Sequence, residues 1–180
     1  SIILSTYNRP QALLTVLEAL KLQTIQDFEV CIADDGSTKD TQQIIENFQQ
    51  NSAFPILHAW QDDRGFRAAS ARNNAVRMSS GDYLLFLDGD CIPRPNWIQQ
   101  HLTLSEKHAF VAGNRVLLDE TLSHAIETHR IPFTDLFGLN VLRHKEHINR
   151  LIPLLKIPLG SMRKLKPTSW AKVRTCNLGI

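Results

Sequence analysis

The chain has 180 residues, 43% of them apolar and 21% charged, a make-up that belongs to a folded globular domain and excludes a disordered or fibrous chain. Its longest unbroken apolar run, Tyr83 to Leu87, is far short of the roughly 20 residues that cross a bilayer, and no charged-then-apolar leader opens it, so the expectation is a cytoplasmic protein that meets a membrane only at its surface. The net charge of +2 hides an asymmetry: residues 1–135 hold 11 Lys/Arg against 17 Asp/Glu, and residues 136–180 hold 9 against 1, which points to an anionic partner for the second part.

In chain order, Ile2 to Ser5 predicts a strand, and Leu13, Val16, Leu17 and Leu20 fall on one stripe of a helix whose first turn carries Pro10. Phe28 to Ala33 predicts a second strand, and Ser37-Thr38-Lys39-Asp40 offers caps for a helix that buries Ile44, Ile45 and Phe48. A short strand follows at Ile56 to Trp60. The stretch Arg67 to Met78 reads as a helix whose Ala68, Ala69, Ala71 and Ala75 let it lie close on a sheet, and Tyr83 to Leu87 as the strand after it. Pro93 and Pro95 precede a helix with Trp97, Ile98, His101 and Leu102, and Phe110 to Leu118 reads as a strand. Beyond Asp119 the pattern degrades: 122–131 and 136–155 look helical but prolines at 132, 153, 158 and 167 interrupt them. The whole predicts an α/β fold with a mostly parallel, Rossmann-like sheet and helices on both faces.

In such a sheet the ligand crevice lies at the carboxyl ends of the strands. Three strand ends are polar: Thr6-Tyr7-Asn8-Arg9, Asp34-Asp35-Gly36-Ser37 and Asp88-Gly89-Asp90. Two carboxylates flanking a glycine turn can both face a hard divalent cation, Mg²⁺ or Mn²⁺, which in turn favours a diphosphate. An isolated Asp-Gly-Asp is also a common turn cap. The three cysteines, Cys31, Cys91 and Cys176, match neither zinc-ligand spacing nor a disulfide framework and read as reduced, structural thiols. Phe66 and Trp97 read as core or pocket wall. His144 and His147 are spaced as a chelating pair, although a solvated helix face explains them as well.

Taken together, Ser5-Thr6-Tyr7-Asn8-Arg9-Pro10, Asp34-Asp35-Gly36-Ser37, Gly65-Phe66-Arg67 leading to Ala71-Arg72-Asn73, and Gly81-Asp82-Tyr83 running into Asp88-Gly89-Asp90 resemble, in order and spacing, the family 2 glycosyltransferases of the GT-A fold. The likeness covers roughly residues 1 to 118, and Gly-Phe-Arg-Ala-Ala is closest to the chondroitin polymerase branch. It implies a nucleotide-sugar-binding α/β core over 1–118, with 119–180 the helical, basic start of an acceptor-side region. It further implies that Asp35 accepts the uracil N3 hydrogen, that Arg67 faces the uracil carbonyls and that Tyr7 packs on the base. Thr6, Asn8, Arg9 and Asn73 would complete the donor site. Asp88 would lie near ribose and metal, and Asp90 would be the direct ligand of a Mn²⁺ or Mg²⁺ ion.

The implied reaction is an inverting transfer from a uridine diphosphate sugar to a glycan or glycolipid, of the kind used in polysaccharide or lipopolysaccharide synthesis. It needs a carboxylate as general base. In the family that base follows a Gly/Thr-x-Asn strand, which Thr175-Cys176-Asn177 resembles. After Asp135 the only acid is Glu146, set among His144, Lys145, His147 and Arg150, so no catalytic base is assigned within the chain and one is expected after residue 180. The chain reads as trimmed at both ends. Its basic part, with apolar Leu151, Ile152, Leu154 and Leu155, is a candidate peripheral contact with anionic lipid at the inner membrane face. Nothing calls for nucleic acid. A phosphorelay receiver would need its acidic pair after the first strand, and a sugar-phosphate nucleotidyltransferase a glycine-rich loop near the start, whereas the first glycine is Gly36. A non-catalytic nucleotide-sugar-binding relative is the remaining alternative.

Overall fold

The apolar runs of the central strands are buried on both sides, one residue facing one helical layer and the next facing the other, as in a parallel sheet. The computed structural model describes residues 1–151 and 173–180. The elements follow as β1 (Ile2–Thr6), α1 (Pro10–Lys21), β2 (Val30–Asp34), α2 (Lys39–Gln49), β3 (Ile56–Trp60), α3 (Ala68–Met78), β4 (Leu85–Asp88), α4 (Trp97–Leu104), β5 (Val111–Ala112), α5 (Glu120–Glu127) and β6 (Asn177–Gly179), with 3-10 turns at Phe133–Leu136 and Gly138–His147. Sheet order is β3-β2-β1-β4-β6-β5. β1 to β4 are parallel, and β6 runs antiparallel between β4 and β5. A receiver-type sheet, ordered 2-1-3-4-5, is thereby excluded.

On one face Ile2, Leu4, Val30 and Ile32 pack with Leu13, Val16, Leu17 and Leu20 of α1, Ile45 and Phe48 of α2, and Trp97 and Ile98 of α4. On the other, Ile3, Cys31, Ala33 and Phe86 meet Ala71 and Ala75 of α3, whose methyl groups allow the close approach expected of them. Pro10 stands in the first turn of α1, where its missing N–H costs nothing. A separate small core gathers Leu122, Ile126, Val141 and Ile148.

Several boundaries differ from the sequence reading. Phe28 leaves the sheet to pack on Phe54, ring centroids 4.7 Å apart, so β2 starts at Val30. Ile44 is only half-buried. Thr38 caps α2 through its backbone position and not its side chain. The strand expected over 110–118 shrinks to Val111–Ala112, after which the chain turns away and touches β structure again only where Leu118 bridges Ile148. Tertiary pairing overrides local propensity there: β5 is held only by β6, which arrives from more than 60 residues later. The long helix expected over 136–155 is instead a run of 3-10 turns as far as His147. The rest of that helix, the apolar residues Ile152, Leu154 and Leu155, and the prolines at 153, 158 and 167 lie outside the described residues. Among the described residues no helix is long and apolar enough to cross a membrane.

Candidate donor and metal site

In-register parallel pairing brings the polar strand ends to one edge: Thr6 lies beside Asp34, Asp34 beside Trp60, and Ser5 beside Asp88. Two loops then interlock. The Asn8 amide donates to Ser37 Oγ at 2.9 Å, the Thr38 amide donates to Asn8 Oδ1 at 2.9 Å, and the Asp35 amide donates to the Thr6 carbonyl at 3.1 Å. Asn8 takes a left-handed φ of 49°, which asparagine tolerates better than most residues. Gly36, at φ 95°, has no alternative: a Cβ there would stand 2.6 Å from the Asp63 backbone.

Asp34 and Asp35 have opposite duties. Asp34 is fully buried and accepts from the Ser37 amide at 2.8 Å and pairs with His58 Nε2 at 2.9 Å. Burial pushes its pKa up, but the His58 and Ser37 hydrogen bonds outweigh that and hold it below the ordinary aspartate value. Asp34 is therefore a structural carboxylate. Asp35, also buried, accepts the Gln61 side chain at 2.6 Å and the Arg67 amide at 2.7 Å, one bond on each oxygen, which leaves lone pairs on both.

Arg67 begins α3 with its guanidinium against the Asp62 carbonyl, while its Nε is buried without a partner. Tyr7, half exposed, donates to Asp63 Oδ2 at 2.9 Å, and that bond raises its pKa. Tyr7, Asp35 and Arg67 thus form one group, joined by Gln61 and Asp63, which sequence reasoning did not single out. Phe66, expected in a core or wall, is 94% exposed beside it.

A second group forms where β4 ends. Asp88 Oδ1 accepts from Ser5 Oγ at 3.0 Å and from Arg72 at 2.9 Å, and Arg72 also reaches Ser5 Oγ at 3.1 Å. Asp90 is exposed and meets the Cys91 thiol at 3.6 Å. Gly89 makes this turn possible: its amide donates to the Ser5 carbonyl at 2.7 Å, and a Cβ would stand at that same distance from the oxygen. Donor atoms of Asp88, Asp90 and Cys91 lie within 4.8 Å of one another. Two carboxylates so placed fit a hard cation. The thiol adds no hard ligand, because sulfur is a soft donor; burial, and then Asp90 and Asp88, push its pKa up.

The remaining expected residues join neither group by hydrogen bonds of their side chains. Arg9 turns toward α5 and pairs with Glu127 at 2.5 Å. Asn73 is exposed on α3, and Thr6 is buried with an unpartnered hydroxyl. His144 and His147 do not converge: His147 pairs with Asp119 at 2.7 Å, whereas His144 lies 3.8 Å from Asp135. Glu146 is exposed. A cleft of about 760 Å³ opens beside Asp90, its walls including Arg9, Trp97, Asn114, Arg115 and Asn177. Asn177 was legible only as part of a strand motif. Its Oδ1 accepts from Trp97 Nε1 at 2.9 Å and contacts His101 Nε2 at 2.8 Å, and its Nδ2 donates to the Asn114 carbonyl at 2.9 Å.

The family model described as glycosyl transferase family 2 matches residues 1–163. The chain belongs to that family. Similar proteins include validoxylamine A glucosyltransferase of Streptomyces hygroscopicus subsp. jinggangensis, 37% identical over 66% of this chain and 27% of the relative. Chondroitin synthase of Escherichia coli is 37% identical over 58% of this chain and 15% of the relative. Hyaluronan synthase of Pasteurella multocida is 35% identical over 66% and 12%. The chain therefore spans about a quarter or less of the length of these relatives. S. aureus TarS 1-349 in complex with UDP-GlcNAc aligns at a TM-score of 0.50 and 26% identity, over 65% of this chain and 32% of that one. Mannosyltransferase PcManGT from Pyrobaculum calidifontis, in complex with GDP-Man and Mn2+, aligns at 0.55 and 21%, over 63% and 34%, and shows the shared GT-A fold.

Proposed function

We propose that this domain binds a uridine diphosphate sugar with a divalent cation, Mn²⁺ or Mg²⁺, and serves transfer of the sugar to a glycan or glycolipid hydroxyl. The carrying observation is the pairing of a buried acceptor, Asp35, with the buried and unpartnered Arg67 Nε, on adjoining loops next to Tyr7. Uracil presents a donor N–H between two carbonyl acceptors, which is the complement of that pair. Cytosine lacks the N–H, and a purine needs more width. The likeness to TarS with UDP-GlcNAc supports the same nucleotide.

From the base, the ribose and diphosphate would run toward Asp88 and Asp90, as Ser5 and Asp88 stand side by side at the strand ends. Asp88 and Asp90 would hold the cation, which when bound offsets the charge that develops on the departing diphosphate. The cleft beside Asp90 would receive the sugar and acceptor, with Arg9, Arg115 and Asn114 as polar contacts on its walls. No general base is assigned within this chain: Glu146, the one acid after Asp135, is exposed on a 3-10 turn with basic neighbours. The basic part of the chain remains a candidate contact with anionic lipid.

The test is nucleotide selectivity. Calorimetry with UDP, CDP and GDP in the presence of Mn²⁺ should rank UDP first, and Asp35→Ala should lose about 10- to 150-fold in UDP affinity, the worth of a charged hydrogen bond of ~1.5 to 3 kcal/mol. A variant that kept both affinity and uridine preference would remove this pocket from the account.

A further inference from the structure

The two aspartates of the turn are not equivalent. Asp88 already carries a counter-charge: its Oδ1 takes both the Arg72 guanidinium, at 2.9 Å, and the Ser5 hydroxyl, at 3.0 Å. Arg72 is fixed in that place by α3, where its neighbour Ala71 is fully buried against the sheet. It also donates to Ser5 Oγ at 3.1 Å, so the guanidinium, hydroxyl and carboxylate close a triangle across β1, β4 and α3. Asp90 is exposed and, among the described residues, meets only the thiol of Cys91.

We infer that Arg72 is a positioning residue that divides the work of the turn, neutralising Asp88 so that Asp90 dominates cation binding and Asp88 is oriented toward the donor. This rests on reading Asp88-Gly89-Asp90 as the cation turn. A guanidinium paired with one carboxylate lowers that carboxylate's attraction for a second cation and repels the cation itself at close range. The engaged Oδ1 fixes the plane of the Asp88 carboxylate, so its Oδ2 has a set direction.

The difference can be measured without turnover. Mn²⁺ is titrated into the protein in the absence of nucleotide, and free Mn²⁺ is counted by electron paramagnetic resonance. Arg72→Met should bind Mn²⁺ about 3- to 10-fold more tightly than the unmodified protein, since a positive charge within several ångströms is removed. Arg72→Lys, which keeps the charge, should stay near the starting affinity. Arg72→Gln carries the same test as Arg72→Met if the methionine variant does not fold.

A separate arm needs no change at Arg72: Asp90→Asn should abolish Mn²⁺ binding while Asp88→Asn leaves it within about threefold. Unchanged or weaker binding in Arg72→Met, or equal losses in the two asparagine variants, overturns the inference while leaving the cation turn standing. Absence of Mn²⁺ binding to the unmodified protein, with or without UDP, overturns the cation turn itself.

Discussion

The four parallel strands and the edge built from β5, β6 and α5 are stabilised in different ways. β1 and β2 are almost wholly buried, and their register brings Asp34 and Asp88 to one edge of the sheet by backbone pairing. The edge has two strands of two and three residues, a small core of its own, and one asparagine that links β6, α4 and the loop after β5. Apolar burial fixes the side that carries Tyr7, Asp35 and Arg67, and specific polar bonds fix the side that borders the cleft. The two should therefore fail under different substitutions.

The largest effect is expected in the parallel core. Ile32 is fully buried at the centre of β2, so Ile32→Ala should cost about 2–5 kcal/mol, whereas Ile148→Ala in the small core should fall near the lower end, about 2 kcal/mol. Urea titration checks both, and equal losses would mean that the edge packs as tightly as the centre. Asn177→Ala should come next, at about 2–3 kcal/mol, because it leaves buried Trp97 and His101 nitrogens without their acceptor. Hydrogen exchange should show the loosening in β5 and β6 and not in β1 to β3.

Asp34→Asn should cost about 1–3 kcal/mol at neutral pH. The folded pKa of Asp34 lies below its ordinary value, so its contribution is complete above about pH 4 and disappears as pH falls through the lowered value. Melting curves of the variant and the unmodified protein should thus converge in acid, and a pH-independent gap would contradict the role given to the hydrogen-bonded carboxylate. The smallest effect belongs to the bridge between the two regions. Arg9 and Glu127 are 53% and 26% exposed at their side chains, so Arg9→Ala should cost under about 1 kcal/mol and less at high salt.

The same contrast explains what the sequence disclosed. Strands β1 to β4 were legible because each is a short apolar run followed by its own helix, and the positions of Asp35, Arg67, Asp88 and Asp90 at strand or helix ends follow from those local patterns. Family membership and the GT-A fold were legible in the same motifs. Arg72 was visible within the Ala71-Arg72-Asn73 motif, but its role was not, since its partners Ser5 and Asp88 come from strands 67 and 16 positions away. Gln61 and Asp63 were hidden likewise, in a loop whose shape depends on the β2 turn. The shortened β5 and the 3-10 turns after Phe133 could not be read from periodicity, because β6 decides the first by long-range pairing and interrupted apolar spacing blurs the second.

The central claim is that Asp90 anchors a cation beneath a uridine diphosphate at the ends of β1, β2 and β4. Calorimetric titration of UDP into the unmodified protein and into Asp90→Asn, each with Mn²⁺ and with EDTA, addresses it most directly. The account predicts that Mn²⁺ strengthens UDP binding to the unmodified protein and has no effect on the variant, with the same melting temperature for both. Equal metal-dependent affinity in the two proteins would contradict it.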